Sequence, residues 1–296
     1  SLRQRLLRKF RQRKLTYRGL KQDTQFLRLE ARIRALLSDS NELVEILPPS
    51  SLKTATGAGW EVSFFYYPQS RGGDRVAVYF DRFVSKACIL HCDAAGSDQK
   101  ASLMADYLVI GFEALLNAVL EQQITVEWLF GVLNETVQRN KKFWSDAPSA
   151  NLITLSKGSG RLFFINAGMP APLLLRGHER KIEYLETASV PPVGDFRVDK
   201  KSSSGIGSDL IEMQNGDLIL FTSDGFKEEF QRASGLALEL QLKGIAGALK
   251  GDAEGIGLKL LRTLEGGLVG KILSDNMSFV LISRRSARKE AGRATH

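Results

Sequence analysis

The residues best suited to chemistry are four aspartates, each directly before or after a predicted strand. The four are Asp74, Asp93, Asp224 and Asp275. If these strand ends meet, four unpaired carboxylates cannot all ionise there without cations. A ligand set of oxygens alone suits Mg²⁺ or Mn²⁺, and two such ions can activate a water for attack on phosphorus. The spacing leaves a simpler interpretation open, in which each aspartate only caps or ends its own element.

Short strands and amphipathic helices must position these aspartates. The strands beside them are predicted over 76–80, 86–92, 218–223 and 277–283, so Asp224 is expected to close its strand. Further strands are predicted over 62–67, 151–155, 161–166, 172–175 and 181–185. Helices are predicted over 98–121 and 125–143 and as two segments within 234–266, and a polar surface loop over 197–209. Short, hairpin-spaced strands between pairs of helices favour antiparallel sheets with helices packed outside.

Composition places the chain among ordinary globular proteins. It has 296 residues, of which 43% are apolar and 25% charged. No apolar run is long enough to span a membrane, and no apolar stretch of a signal peptide follows the basic N-terminus. Two cysteines give no disulfide framework and favour a reducing compartment, so we expect a cytoplasmic location.

The positive charge is concentrated in the N-terminal segment. Residues 1–34 contain 12 Lys and Arg against 2 acidic residues, whereas the whole chain carries a net charge of +8. Residues 1–47 contain no proline and have helical apolar spacing, which predicts a helical linker. A binding surface for nucleic acid or for a membrane is the functional alternative for this basic run, but a solvated linker is the simpler interpretation, and we expect no nucleic-acid partner.

Two other groups of residues raise the question of a zinc site and of a phosphate-binding loop. Cys88 and Cys92 share one face of a predicted strand and His91 points to the other, which favours buried core thiols over a zinc site. The pair Gly205 and Gly207 lacks the Lys-Ser/Thr that a phosphate-binding loop requires.

Five stretches in order resemble the PPM family of metal-dependent Ser/Thr protein phosphatases, and in particular its SpoIIE-like bacterial branch. They are GGD (72–74), DAAGSDQKASLMA (93–105), NAGMPAPLLLRG (166–177), NGDLILFTSDGFKEE (215–229) and SDNMSFVLI (274–282). The segment NELVEILPP (41–49) is similar to the lead-in that follows a signalling helix in this family. No single stretch is specific, but five in the expected order form a strong pattern.

The resemblance implies a role for each aspartate. Asp93 would bridge two metal ions, with the backbone carbonyl of Ala94 as a further ligand. Asp74 would hold one ion, directly or through water, and Asp224 and Asp275 would hold the other. The water activated between the ions would attack a phosphoserine or phosphothreonine, without a covalent enzyme intermediate.

The chain also departs from the pattern of the family. Gly96 is followed by Ser97 and Asp98 where a second glycine is usual. Ala77 stands at the last position of the usual GGDxxD, Met169 replaces a common histidine, and Asn276 follows Asp275 where an acidic pair is usual. None of these departures removes a predicted carboxylate ligand. They raise an alternative, a catalytically weak or inactive interaction module with the same fold.

These observations predict an α+β protein built as a four-layer α-β-β-α sandwich of two antiparallel sheets. We expect a regulatory helical linker at 1–47, a phosphatase domain at 48–284 and a basic, disordered tail at 285–296. The resemblance implies a bacterial signalling phosphatase that uses two Mn²⁺ or Mg²⁺ ions. Its implied partners are a phosphorylated anti-sigma-factor antagonist as substrate, an upstream sensor domain and, as one route of control, a second copy in a homodimer.

Overall fold

The computed structural model describes eleven strands and five helices between Leu52 and Arg284. The described residues are 52–57, 59–67, 72–80, 86–95, 99–118, 125–141, 146–156, 158–179, 181–187, 190–196, 206–249, 253–268 and 275–284. The strands are β1 (Lys53–Gly57), β2 (Trp60–Tyr67), β3 (Arg75–Phe80), β4 (Lys86–Asp93), β5 (Ser149–Ser156), β6 (Arg161–Ala167), β7 (Leu173–Arg176), β8 (Lys181–Tyr184), β9 (Asp209–Glu212), β10 (Leu218–Thr222) and β11 (Met277–Arg284). The helices are α1 (Gln99–Ala118), α2 (Val126–Arg139), α3 (Asp224–Ser234), α4 (Leu238–Leu249) and α5 (Ala253–Leu268).

The strands form two sheets in which neighbouring strands are antiparallel. One sheet has the order β1-β2-β11-β10-β7-β8 and the other has the order β3-β4-β5-β6-β9. Strand β10 and its partner β11 are central in the first sheet, and each carries a continuous run of buried residues, as expected for strands covered on both faces.

Three apolar layers hold the sandwich together. The inner layer lies between the sheets and contains Val62, Ile89, Ile153, Phe221 and Val280 among others. A second layer packs α1 and α2 on the five-stranded sheet, and a third packs α3, α4 and α5 on the six-stranded sheet. Side chains alternate across each strand, so each sheet contributes one face to the inner layer and one to an outer layer. The predicted four-layer α-β-β-α architecture is therefore confirmed.

Directional contacts also join the two sheets. The indole Nε1 of Trp60, at the start of β2, donates a hydrogen bond of 3.0 Å to the carbonyl oxygen of Ser156, at the end of β5. The guanidinium of Arg284, at the end of β11, donates 2.9 Å to the carbonyl oxygen of Gly158, just beyond β5. Both contacts lie at the same end of the sandwich.

Three elements were not predicted from the sequence. Strands β1 and β9 are edge strands of mixed polarity, so their sequences lack the apolar run or clean alternation that signals a strand. Helix α3 begins at Asp224, so the prediction that Asp224 closes a strand was wrong. The side chain of Ser223 caps this helix by accepting a hydrogen bond from the backbone N–H of Phe226.

Several predictions concern residues outside the described part of the chain. They are the regulatory linker at 1–47, the tail at 285–296, most of the polar loop at 197–209 and the departures at Gly96, Ser97 and Asp98. Among the described helices, none is both long enough and apolar enough to cross a membrane.

Candidate active site at one end of the sandwich

The five-stranded sheet brings Asp74 and Asp93 together. Strand β3 pairs with β4 so that Arg75 lies opposite Cys92, and one further step along this register places Asp74 beside Asp93. The backbone N–H of Ala94 donates to the carbonyl oxygen of Gly73 at 3.2 Å, which extends the pairing into the turn. The first two predicted ligands therefore share one edge of this sheet.

The six-stranded sheet brings Asp224 and Asp275 to the same end of the sandwich. Strands β10 and β11 pair up to Thr222 and Phe279, and the backbone N–H of Ser223 then donates to the carbonyl oxygen of Ser278 at 2.9 Å. Asp224 follows this last contact, and Asp275 lies two residues before β11. Each sheet thus contributes two of the four aspartates.

Glycines allow the backbones around the site to approach closely. A Cβ on Gly73 would lie 2.0 Å from the carbonyl oxygen of Ala94, the predicted backbone ligand. A Cβ on Gly225 would lie 1.9 Å from the carbonyl oxygen of Asn276. No side chain larger than hydrogen fits at these positions without moving backbone, so the glycines of the GGD and SDG stretches are required by the convergence of the strand ends.

The carboxylates interact with one another, and burial together with this repulsion raises their pKa values. Burial, with the charges of Asp74 and Asp224 next in effect, raises the pKa of Asp93 from 3.8 to about 9. Burial raises the pKa of Asp74 to about 6, against hydrogen bonds that lower it, and burial also raises the pKa of Asp275, with the charge of Asp224 adding to it. Asp93 is thus the central member, in contact with one aspartate from each sheet.

The four aspartates have no basic partner in the part of the chain that the structure describes. Among the described residues, none of the four aspartates forms an ion pair. The guanidinium of Arg75, the residue that follows Asp74, turns toward helix α1 and pairs with Asp106 at 2.8 Å. Carboxylates that lie this close together, some of them buried, repel one another, and bound cations would remove this electrostatic cost.

The residues present fit a divalent cation in their chemistry. The Oδ1 atom of Asp74 is buried and has no hydrogen-bond partner in the described part of the chain, although its Oδ2 atom is satisfied. Orphaned carboxylate oxygens of this kind are what a hard cation coordinates. Among the described residues, no three His, Cys, Asp or Glu side chains are already gathered as a cation cluster.

Two buried polar side chains, Ser278 and His91, were given no functional role from the sequence. The hydroxyl of Ser278 donates to Oδ2 of Asp74 at 2.6 Å, across the gap between the sheets, and lies 2.8 Å from Nε2 of His91. His91 is fully buried, which lowers its pKa to about 3 and keeps the imidazole neutral. The available signal was alternation, because each is a polar residue on the inward face of an otherwise apolar strand.

The predicted orientation of strand β4 agrees with the structure. Cys88 and Cys92 are buried in the outer layer against the helices, and His91 faces the inner layer toward Ser278. Burial raises the pKa of the Cys92 thiol, which keeps it protonated and unreactive.

Two of the departures from the family pattern, Ala77 and Met169, are buried positions. Ala77 packs in the outer layer, on the face of β3 opposite to Asp74. Met169 is buried in a turn where its backbone N–H donates to Oδ1 of Asn166 at 2.9 Å. Neither position takes a carboxylate away from the site.

Solved structures with the same fold include bacterial signalling proteins. The structure of the RsbU and RsbW domains of Rv1364c from Mycobacterium tuberculosis matches with a TM-score of 0.59 and 21% identity. The match covers 82% of the present chain and 64% of the Rv1364c chain. RsbX in complex with magnesium matches with a TM-score of 0.56 and 11% identity, over 79% of this chain and 100% of that one. The PP2C phosphatase domain and regulatory fragment of SpoIIE from Bacillus subtilis matches with a TM-score of 0.52 and 16% identity, over 86% and 75%. At these identities the likeness concerns the fold.

The family model of stage II sporulation protein E matches residues 85–285, about two thirds of the chain. No curated protein matches. The matched segment contains Asp93, Asp224 and Asp275 and begins one residue before β4, so it leaves out Asp74 and the GGD turn. The chain therefore belongs to the stage II sporulation protein E family of PP2C-type serine/threonine phosphatases, which are hydrolases.

Proposed function

We propose that this chain is a Mg²⁺- or Mn²⁺-dependent phosphatase that hydrolyses phosphoserine or phosphothreonine on a protein substrate. The observation that carries the proposal is the meeting of four aspartates, two from each sheet, at one end of the sandwich, with no ion-pair partner among the described residues. Family membership and the fold shared with a magnesium-bound relative support the same chemistry.

In this proposal each aspartate has a distinct task. Asp93, in contact with both Asp74 and Asp224, would be the ligand common to the two cations, and the backbone carbonyl of Ala94 would be a further ligand. Asp74 is buried, whereas Asp224 is exposed and Asp275 half-buried, so the second pair faces the incoming phosphoprotein. When bound, the cations supply charge neutralisation and an activated water for attack on phosphorus.

The substrate and the regulation belong to the same proposal. We assign as substrate a phosphorylated anti-sigma-factor antagonist, as the resemblance to the SpoIIE-like bacterial branch implies. We also assign to residues 1–47 the role of a linker to an upstream sensor domain, with homodimerisation as a route of control and a cytoplasmic location. The domain bounds 48–284 and 285–296 are part of the proposal.

Phosphate release from a phosphorylated antagonist protein in Mn²⁺ tests the proposal. We expect Asp93→Asn and Asp224→Asn each to lower the rate at least about a hundredfold, since each removes a carboxylate from the reacting centre. Glu212→Gln is the matched control, because Glu212 is exposed and pairs with Arg161 at the opposite end of the five-stranded sheet. Equal rates in all four proteins would remove the enzyme interpretation. Tight substrate binding without turnover would favour the alternative, an inactive interaction module.

A further inference from the structure

The carboxylate of Asp74 is held in one orientation from the opposite sheet. Its Oδ2 atom accepts a hydrogen bond of 2.6 Å from Oγ of Ser278, on β11. This is a short, charge-assisted contact of the kind that fixes a carboxylate strongly. Its Oδ1 atom is left buried and without a hydrogen-bond partner among the described residues. One oxygen of Asp74 is therefore occupied by protein, and the other is free for a ligand.

The backbone of Asp74 is held as well, but by a different residue. The guanidinium of Arg75 donates from the same nitrogen to the carbonyl oxygens of Gly72 and Asp74, both at 2.8 Å. Its other atoms reach Asp106 and Ser102 on α1. Arg75 thus secures the turn, whereas the carboxylate itself interacts first with Ser278 and then with Asp93 and Ser223.

Ser278 in turn depends on His91. A serine hydroxyl has one hydrogen, and with Asp74 ionised that hydrogen is spent on Oδ2. The contact of 2.8 Å between Oγ of Ser278 and Nε2 of His91 is then a hydrogen bond only if Nε2 carries the proton and donates it. The other ring nitrogen, Nδ1, is buried and has no partner within the described residues, so the imidazole acts on its surroundings through Nε2.

We propose that His91 and Ser278 are positioning residues, which form a relay from Nε2 of His91 through Oγ of Ser278 to Oδ2 of Asp74 and present Oδ1 alone to a divalent cation. The relay crosses from β4 to β11 and returns to Asp74, directly before β3, so it ties the first ligand of the five-stranded sheet to a central strand of the six-stranded sheet. The inference rests on the proposed metal-dependent function and names how one of its ligands is oriented.

Mn²⁺ affinity of the folded protein, measured by titration calorimetry, tests the relay without using turnover. We expect Ser278→Ala to raise the Kd for Mn²⁺ by about 10- to 100-fold, the usual effect of removing the partner of a metal ligand. Ser278→Thr keeps the hydroxyl and should stay within about threefold of the wild type. His91→Leu should weaken binding about tenfold, whereas His91→Gln, whose amide nitrogen can donate from nearly the same place as Nε2, should restore most of the affinity.

The metal-free protein gives a second, independent measurement. In ¹⁵N-histidine NMR spectra, the resonances lost in His91→Gln identify the ring of His91, and we expect the Nε2–H tautomer. The Nδ1–H tautomer would overturn the relay. Unfolding midpoints of the metal-free variants serve as the control for a merely structural role.

The outcomes separate this inference from the proposed function. If Ser278→Ala is less stable but binds Mn²⁺ as the wild type does, the positioning role is wrong. If the wild type binds Mn²⁺ and follows the expected variant series but releases no phosphate, the relay stands and the phosphatase proposal fails. A folded wild type that binds no Mn²⁺ refutes both.

Discussion

The substitution Gly73→Ala probes the closest approach in the candidate site. The added methyl group would lie 2.0 Å from the carbonyl oxygen of Ala94 and 2.8 Å from its carbonyl carbon. Ordinary contact begins at about 3.4 Å, and the obstacle is backbone, so the GGD turn must move by about 1 Å or more. Forcing an extra methyl into such a packed place costs about 1–3 kcal/mol. For a domain of this size that corresponds to a fall in Tm of roughly 2–12 °C.

The same movement separates Asp74 from Asp93, so a second effect on metal binding is expected. We expect the Kd for Mn²⁺ to rise about tenfold or more, in line with other disturbances next to metal ligands. Thermal unfolding with and without Mn²⁺ measures both effects in one experiment, since binding to the native state raises Tm.

A second glycine substitution provides the matched control. Gly244 lies exposed in helix α4, and a Cβ there meets nothing within 4 Å. Gly244→Ala should therefore stabilise the protein by about 0.5–1 kcal/mol. If Gly73→Ala unfolds at the wild-type temperature and binds Mn²⁺ equally well, the argument that close backbone approach builds the site is refuted.

Three further predictions concern the carboxylates of the site, the cap of helix α3 and a buried ion pair far from the site. Folding raises the pKa of Asp74 from 3.8 to about 6 and that of Asp93 to about 9. Between these values the folded, metal-free protein binds more protons than the unfolded chain does. Its free energy of unfolding should therefore fall as pH rises from about 4 toward 9. Urea unfolding in chelator should show this decline and a flatter curve for Asp93→Asn, and a stability that increases over the range would contradict the assignment. Ser223→Ala removes the acceptor for the backbone N–H groups of Phe226 and Ser278 and should cost about 1–2 kcal/mol in urea unfolding, whereas Ser223→Thr should cost less. Asp217→Asn, at the end of β10 far from the site, breaks an ion pair with Arg176 and should lower the free energy of unfolding by about 3–5 kcal/mol. The Kd of the folded protein for Mn²⁺ should be unchanged. A raised Kd would show that the two ends of the sandwich are coupled.

Sequence patterns predicted the strand ends that carry the site because those ends are abrupt. Each of these strands is a continuous buried run, Leu218 to Phe221 and Met277 to Ile282. An aspartate follows the first run and precedes the second, which is a strong local signal. The start of α3 was harder, since Asp224 follows an apolar run directly and the helical spacing of Phe226 and Phe230 becomes visible only further on. Edge strand β9 was not predicted, because only Ile211 among its residues is buried.

The relay of His91 and Ser278 could not have been predicted from spacing. The two residues are 187 positions apart, and their contact depends on which strands face each other across the inner layer. Sequence alternation indicates that each is an inward polar residue, but it carries no information on the stacking of two sheets. The direction of the Asp74 carboxylate is likewise a property of packing between sheets.

The contacts between the sheets have a mechanical consequence. Most of the interface is apolar, and apolar contact is non-directional, so by itself it resists sliding of one sheet over the other only weakly. Hydrogen bonds join the two sheets at both ends, from Trp60 to Ser156 at one end and from Ser278 to Asp74 at the other. Because there is a directional bond at each end, both sliding and in-plane rotation of one sheet against the other are restrained. The separation of Asp93 and Asp224, which belong to different sheets, is therefore set in part by an indole hydrogen bond roughly 20 Å away along the strands.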